Sequence, residues 1–200
     1  MKTVQITPAE METRTVRFGK LTPRSQILKD RTGVPPEVSE FFSADRNYTL
    51  MAPKMGANST ISSTAAIEGG DAGDAISVSL AFCNPGSGPQ LHAHMNTVEA
   101  FFCLKGRFSI SWGDRGENET VLEPYDFLPV PKGVMRTFTN IGDEEGALLV
   151  IIQGNKGEFR DVINPPIVAD MVRERWGEEM LERVKVGGRI FMDDTAQAAE

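Results

Sequence analysis

The feature that most constrains this chain is a pair of histidines, His92 and His94, which are the only two histidines in its 200 residues. Side chains two residues apart on a strand project to the same face, so these two imidazoles converge on one point inside a closed sheet. Glu99 follows after a short turn and can bring a carboxylate to that point. Two imidazoles and one carboxylate form the facial set that holds non-haem Fe(II), and in other geometries Mn, Ni, Cu or Zn, with coordination positions left open. The spacing therefore predicts a metal site suited to catalysis.

The residues around this pair resemble the first motif of the cupin superfamily, G-x5-H-x-H-x3,4-E-x6-G. Gly86, His92, His94, Glu99 and Gly106 match every fixed position of that motif. The resemblance implies a single-domain cupin of the cupin 2 conserved-barrel type. Its expected fold class is all-β, a double-stranded β-helix (jelly-roll barrel), with an N-terminal arm and a C-terminal α-helix added in this chain. The chain shows no internal repeat, which argues against two barrels.

The second cupin motif, G-x5-P-x-G-x2-H-x3-N, is recognisable further along the chain with two departures. Pro131, Gly133 and Asn140 match it. Tyr125 stands where the family has its first glycine, and Arg136 stands where the family has its fourth metal ligand, a histidine. The resemblance therefore covers roughly residues 76–153 and is weakest at the fourth ligand position.

Arg136 cannot coordinate a metal ion, because a guanidinium is cationic at any working pH and has no free lone pair. Two arrangements follow. Arg136 points into the barrel and clamps a carboxylate or enolate oxygen of a substrate that also meets the metal. Alternatively, it pairs with Glu99 or turns toward solvent, which weakens or abolishes the metal site. The simplest alternative for the whole cluster is a hydrogen-bonded polar core without a metal.

Strand and helix patterns divide the chain into four segments. Residues 1–75 contain five prolines and are expected to form an arm and loop that pack on the barrel, with the Gly-, Ala-, Ser- and Thr-rich stretch 55–74 as the loop. Residues 76–163 carry short apolar runs separated by turn residues, a pattern typical of a closed antiparallel sheet. Residues 164–188 carry apolar residues at four-residue intervals, which predicts a C-terminal α-helix. Residues 189–200 are expected to be a tail.

Strand alternation places four aromatic side chains on the inward faces together with the metal ligands. They are Phe101, Phe108, Trp112 and Phe138. An interior that is mostly apolar and has a few convergent polar groups is typical of a small-molecule pocket. These four residues and Arg136 are the candidate substrate-binding residues, and the catalytic residues stay unassigned.

Composition restricts the partners. With 21 basic and 28 acidic residues the net charge is -7, which argues against nucleic acid and anionic membranes. The chain has no apolar stretch long enough for a signal peptide or a membrane span, so a cytoplasmic protein is expected. Cys83 and Cys103 are expected to be free thiols. Outward-facing Phe102 and Leu104 need cover from the N-terminal arm, the C-terminal helix or another subunit, and a homodimer or larger assembly is expected.

The fold does not fix the chemistry, so several functions remain open. The first expectation is a mononuclear metal-dependent cupin of dioxygenase type, with one divalent transition metal (Fe, or alternatively Mn, Ni, Zn or Cu), acting on a small anionic or enolic/aromatic organic substrate. A redox-neutral isomerase, lyase or decarboxylase is one alternative, in which the metal polarises a carbonyl. A non-catalytic small-molecule-binding cupin is the other. Oxygen uptake and metal content separate the three.

Overall fold

The computed structural model describes residues 3–54, 63–69, 75–155, 157–159 and 161–192. The predicted tail lies outside these residues from position 193 onward. Most of the loop predicted at residues 55–74 lies outside them as well.

Helices lie toward both ends of the chain, and most of the strands lie between them. The helices are α1 (Pro8–Glu12), α2 (Arg24–Thr32), α3 (Pro36–Phe41), α4 (Pro166–Trp176) and α5 (Glu178–Val186). The strands are β1 (Arg46–Ala52), β2 (Ile67–Glu68), β3 (Ile76–Cys83), β4 (Ala93–His94), β5 (Val98–Lys105), β6 (Phe108–Trp112), β7 (Asn118–Leu122), β8 (Phe127–Val130), β9 (Arg136–Asn140), β10 (Gly146–Gln153), β11 (Val162–Asn164) and β12 (Ile190–Phe191).

Two sheets enclose the main hydrophobic core. The larger has the strand order β2-β1-β3-β10-β5-β8, and a second sheet has the order β7-β6-β9. One continuous apolar cluster takes residues from both sheets, including Phe101, Phe108, Phe138 and Leu148. This arrangement fits the double-stranded β-helix. Because helices flank the barrel at both ends, the predicted all-β class describes the barrel and not the whole chain.

The barrel starts earlier in the chain than the sequence pattern indicates. Strand β1 belongs to the segment predicted as an arm, yet it pairs antiparallel with β3, from Arg46 opposite Phe82 to Met51 opposite Val78. Its sequence, Arg-Asn-Tyr-Thr-Leu-Met-Ala, contains good strand formers, but the prolines around it pointed to an irregular segment. The boundary predicted at residue 76 therefore leaves out a strand that the sheet contains.

The C-terminal helical segment is two helices rather than one. Gly177, between α4 and α5, has φ 84° and ψ 168°, a conformation that essentially only glycine adopts, and it ends α4 at Trp176. Helices α3, α4 and α5 share a second apolar cluster that contains Val38, Val172 and Leu181. Residues from α2 and from the chain just after α5 border the same cavity as the barrel interior, so the two ends of the chain meet at the barrel opening.

Burial follows the predicted alternation along β9 but only in part along β5 and β6, where Ala100 and Ser109 are buried as well. Phe101, Phe108 and Phe138 are buried, whereas Trp112, at the end of β6, is half-buried. Leu104 is exposed, as expected for an outward position on β5. The two cysteines are free and buried. In the described part of the chain, no helix has the length and apolar character needed to span a membrane.

Candidate metal centre

His92, His94 and Glu99 converge, as the strand spacing predicts, and are called the metal cluster from here on. One ligand atom from each residue lies within 4.8 Å of the others, and all three residues are buried. His92 Nε2 lies 3.8 Å from Glu99 Oε2, and His94 Nε2 lies 3.8 Å from Glu99 Oε1. These distances are beyond hydrogen-bond range, so the side chains surround a common point rather than bond to one another. This is the arrangement that a metal ion needs.

Backbone pairing fixes the position of His92. The peptide N–H of His92 donates to the carbonyl of Arg136 at 3.0 Å, and the N–H of Arg136 donates to the carbonyl of His92 at 2.8 Å. In the ring, Nδ1 lies 2.8 Å from the carbonyl oxygen of Gln90. A carbonyl only accepts hydrogen bonds, so Nδ1 carries the hydrogen and the Nε2 lone pair of the neutral ring faces the common point. Burial lowers the pKa of His92, which favours this neutral form.

Asp161 and Thr97 hold the ring of His94. His94 Nδ1 lies 2.9 Å from Thr97 Oγ1 and 3.0 Å from Asp161 Oδ1. The other oxygen of Asp161 accepts hydrogen bonds from the backbone N–H of Asn96 at 2.8 Å and of Thr97 at 2.7 Å, and from the Thr97 hydroxyl at 2.8 Å. A carboxylate that fixes the outer nitrogen of a histidine is a common supporting group in metal sites. It directs His94 Nε2 to the common point.

Asp161 is therefore a site residue that the sequence does not reveal. Burial alone would raise the pKa of its carboxyl, but the hydrogen bonds from His94, Thr97 and Asn96 outweigh burial and hold the pKa well below its usual range. The residue is ionised. It lies 67 positions from His94 in the chain and belongs to neither cupin motif, so only the fold brings the two together.

The structure contradicts a substrate-clamp role for Arg136. Its guanidinium donates from Nε at 3.0 Å and from Nη2 at 2.9 Å to Glu99 Oε2. Nη1 donates to the carbonyl oxygens of Val134 at 3.3 Å and His92 at 3.5 Å. The residue is fully buried and does not border the cavity. The physical reason is that a buried guanidinium needs a counter-charge and acceptors, and Glu99 and these carbonyls supply them.

Pairing with Arg136 changes the electrostatics of Glu99 without using the whole carboxylate. Burial would raise the pKa of Glu99, but the charge of Arg136 and the neighbouring imidazoles outweigh it and lower the pKa well below its usual range. Oε1 stays directed toward His94 Nε2 as a ligand atom. Glu99 and Asp161 each carry one negative charge and Arg136 carries one positive charge, so the net charge of the site is minus one. The site thus fits a divalent cation. Its net negative charge is smaller than it would be without Arg136.

A cavity of about 220 Å³ borders the metal cluster. Of the five candidate substrate-binding residues only Phe138 borders it. Phe101 and Phe108 instead pack on Phe138 inside the barrel, with ring centroids 5.3 and 6.1 Å from it. The alternation of side chains along the strands correctly placed Phe101, Phe108 and Phe138 inside the barrel. An inward side chain does not have to border the cavity, however, and Phe101 and Phe108 fill the core instead. The cavity wall also contains Phe42, Val150, Ile152 and Phe159, and the hydroxyls of Thr49, Ser77 and Ser79.

The comparison with family models finds one match in this chain. Residues 80–152 match the family model described as a cupin domain. The Schizosaccharomyces pombe Cnp3 cupin domain is similar in structure, with a TM-score of 0.38 and 15% identity over 40% of this chain and 57% of that one. For BH2720 from Bacillus halodurans the TM-score is 0.41 and the sequence identity 18%, over 45% of this chain and 68% of that one. For a structure described as a sugar phosphate isomerase from a cupin superfamily of Silicibacter pomeroyi, the TM-score is 0.37 and the sequence identity 21%, over 54% of this chain and 59% of that one.

The overlap with these solved structures is partial, since this chain covers 57%, 68% and 59% of their lengths. The comparison with curated proteins found no match. The matched cupin model includes β4, β5 and β9, the strands that carry or flank the metal cluster and Arg136. Residues 80–152 of the chain thus match a cupin domain.

Proposed function

We propose that this protein holds one divalent transition metal ion at the metal cluster and binds a small organic molecule in the adjoining cavity. One observation carries the proposal: the Nδ1 atoms of both histidines are occupied by acceptors, so both Nε2 lone pairs face one buried carboxylate. A polar core without a metal would instead close hydrogen bonds among these side chains. When bound, the metal would act as a Lewis acid that polarises an oxygen of the bound molecule.

The groups in the cavity wall favour binding over catalysis. Apart from the metal cluster, the wall offers hydroxyls, an amide and two arginines as polar groups, and no further carboxylate, imidazole or thiol among the described residues. It therefore lacks a separate general acid or base. Arg136 acts as a positioning residue that holds Glu99, and the oxygenase interpretation loses the substrate anchor that it assigned to Arg136. A metal-dependent binding cupin is accordingly our first choice.

A metal-dependent dioxygenase is the second candidate. The observation that favours it is the three-residue donor set, which suits Fe(II) and leaves coordination positions for an organic oxygen and for O₂. The cavity wall, with Phe138, Val150 and Ile152, would limit access of water. Oxygen uptake with Fe(II)-loaded protein and enolic or aromatic acids separates this candidate from the binding cupin and from a redox-neutral isomerase, lyase or decarboxylase.

The test is elemental analysis of protein purified without chelator. We expect about one divalent metal ion per chain in the parent, and a His92→Ala/His94→Ala double variant should lose it because two of three donors are gone. Glu99→Gln should retain less metal than the matched control Glu123→Gln, whose carboxylate is exposed and pairs with Arg107. Urea unfolding would verify that each variant folds. Equal metal content in the folded double variant and the parent would refute the assignment.

A further inference from the structure

We propose that Arg24 and Arg189 form a binding site for an anionic group, a carboxylate or a phosphate, within the cavity that adjoins the metal cluster. The two residues come from opposite ends of the chain, one from the start of α2 and the other from the segment after α5. Both border this cavity. The inference deepens the proposed function, because it assigns a charge to the small molecule, and rests on that function for the link to the metal.

Arg24 carries its charge without a partner. Its Nε atom is inaccessible and has no hydrogen-bond acceptor. No carboxylate among the described residues forms an ion pair with its guanidinium, although the chain has more acidic than basic residues. Buried polar groups in folded proteins are nearly always hydrogen-bonded, so an orphaned guanidinium nitrogen beside a cavity indicates a missing acceptor.

Arg189 is in a similar position. Its guanidinium carbon lies 4.5 Å from the centroid of the Phe42 ring, and Nη2 donates to the carbonyl oxygen of Phe42 at 3.3 Å. Within the described ranges, no carboxylate pairs with it. Burial, together with the charge of Arg24, lowers the pKa of Arg189 to about 9, so the group is still protonated at neutral pH.

Two unpaired guanidinium groups in one cavity wall are costly for the folded chain. Each loses hydration without gaining a counter-ion, and their charges repel each other. Glu99 is the only carboxylate among the described residues of the cavity wall, and it already pairs with Arg136. Exposed arginines of this chain do have partners, as Arg107 with Glu123 and Arg183 with Glu179 show. Exposed arginines without a carboxylate partner among the described residues, such as Arg14, keep their hydration, whereas Arg24 and Arg189 lie in the cavity wall where a ligand would enter.

Carboxylates and phosphates are the groups that fit a pair of arginines. The planar guanidinium presents parallel N–H donors that match two oxygens of such a group, and bonds between charged partners are the stronger ones. The cavity volume of about 220 Å³ is smaller than the roughly 300–1,000 Å³ of pockets for drug-sized ligands, so the molecule is small. We therefore assign it an anionic end at Arg24 and Arg189 and an oxygen donor directed to the metal cluster.

The experiment measures binding of inorganic phosphate, acetate and succinate by calorimetry, in the parent and in the Arg24→Gln and Arg189→Gln variants. Arg183→Gln is the control, because it removes the same charge from an exposed position. We expect one or more of these anions to bind the parent, and each cavity variant to bind at least about tenfold more weakly, the loss typical of one charge-assisted contact. The control should bind like the parent. Preference for phosphate over the carboxylates, or the reverse, identifies the group.

Stability provides a second and independent measurement. If the arginines serve a ligand, removing one unpaired, half-buried charge should leave the anion-free protein as stable as the parent or more stable. Anions should raise the melting temperature of the parent and of the Arg183→Gln control more than that of either cavity variant. A variant that binds anions as tightly as the parent would overturn the proposal. So would a parent that none of the three anions binds.

The experiments distinguish failure of the metal proposal from failure of the anion-site proposal. The His92→Ala/His94→Ala variant should lose metal but still bind phosphate or acetate, because the ring hydrogen bonds of the two histidines go to other residues than these arginines. A parent that binds anions but contains no metal would refute the metal centre and leave the anion site standing.

Discussion

Arg136 is the residue at which this chain departs most from the cupin pattern, and its contacts explain how the departure is accommodated. A cation replaces a neutral ligand, yet it does not border the cavity and contacts only one carboxylate oxygen of Glu99. The remaining N–H donors tie the guanidinium to the carbonyls of His92 and Val134. Arg136 therefore neutralises Glu99 and also connects the start of β9 to the segment that carries the two histidines.

Arg136→Leu should destabilise the protein strongly, because it leaves the Glu99 carboxylate buried without a counter-charge. Breaking a buried pair costs about 3–5 kcal/mol in the free energy of unfolding. Arg107→Leu is the control, since it breaks the exposed Arg107–Glu123 pair and should change stability by at most about 1 kcal/mol. Urea unfolding measures both, and Zn²⁺ should recover part of the loss in Arg136→Leu because the metal neutralises Glu99. Equal losses in the two variants would contradict this account.

Asp161→Asn should weaken metal binding without removing a ligand. The amide is neutral and cannot accept as strongly from His94 Nδ1 and from the backbone N–H groups that Asp161 now binds. Loss of such a supporting group typically costs about 10–100-fold in metal affinity. Competition with a chromophoric chelator gives the affinity, and Asp170→Asn, at an exposed carboxylate, serves as the control. An unchanged affinity would show that Asp161 does not support the metal site.

At the scale of elements, sequence patterns predicted the strands and the ligand spacing that depend on neighbouring residues. They missed the contacts between residues that are far apart in the chain. Strands β3, β5, β8 and β10 follow from apolar runs between turns, and the H-x-H…E spacing predicted the metal cluster because its ligands lie within eight positions. Strand β1 was missed because the surrounding prolines indicated an arm. The break at Gly177 was missed because the apolar residues continue at four-residue intervals through it. Asp161 and the orientation of Arg136 depend on contacts across 67 and 37 positions, which no local pattern encodes.

The loop between β3 and β4 packs directly on β9, and Gly88 makes this contact feasible. A Cβ atom at Gly88 would lie 1.7 Å from the carbonyl oxygen of Phe138. Gly88→Ala should therefore push the loop off β9 and lower the free energy of unfolding by at least about 1–3 kcal/mol, the usual cost of overpacking. Gly19→Ala, where nothing lies within 4 Å of the added Cβ, is the control. Chemical denaturation compares the two, and equal stability would disprove the close contact.

For the whole molecule, the buried thiols set how stability responds to alkaline pH. Burial raises the pKa of Cys83 to about 12 and also raises the pKa of Cys103. Unfolded chains release thiol protons near pH 8.5, so the unfolded state gains from deprotonation that the folded state does not share. The contribution of the thiols to stability should be constant below about pH 8 and should then fall, by up to about 1.4 kcal/mol per pH unit for each thiol. Urea unfolding between pH 7 and 9.5 tests this, and Cys83→Ala should have a shallower slope; an identical slope would exclude the thiol as the cause.

One face of the barrel remains apolar and exposed in the single chain. Leu104, Tyr125 and Phe127 are 37%, 78% and 54% exposed and lie at β5, at the turn before β8 and on β8. Strand β8 has β5 as its neighbour and forms the edge of the larger sheet. Tyr125 also has φ 78°, a left-handed conformation that is unfavourable for a bulky side chain, at the position where the cupin motif has glycine. The Tyr125 ring contacts the ring of Phe102 at a centroid distance of 6.4 Å, but most of its surface stays exposed in the single chain.

We expect this face to be covered by a second copy of the chain, which would form a homodimer. Association would bury the aromatic surface of Tyr125 and Phe127 and remove the open edge of β8. Light scattering at micromolar concentration should give twice the monomer mass. Tyr125→Gly combined with Phe127→Ser should shift the protein toward the monomer, while Val186→Ser, at an apolar side chain that is 89% exposed elsewhere, should not. A monomeric parent, or a dimer that the double variant leaves intact, would contradict this interface.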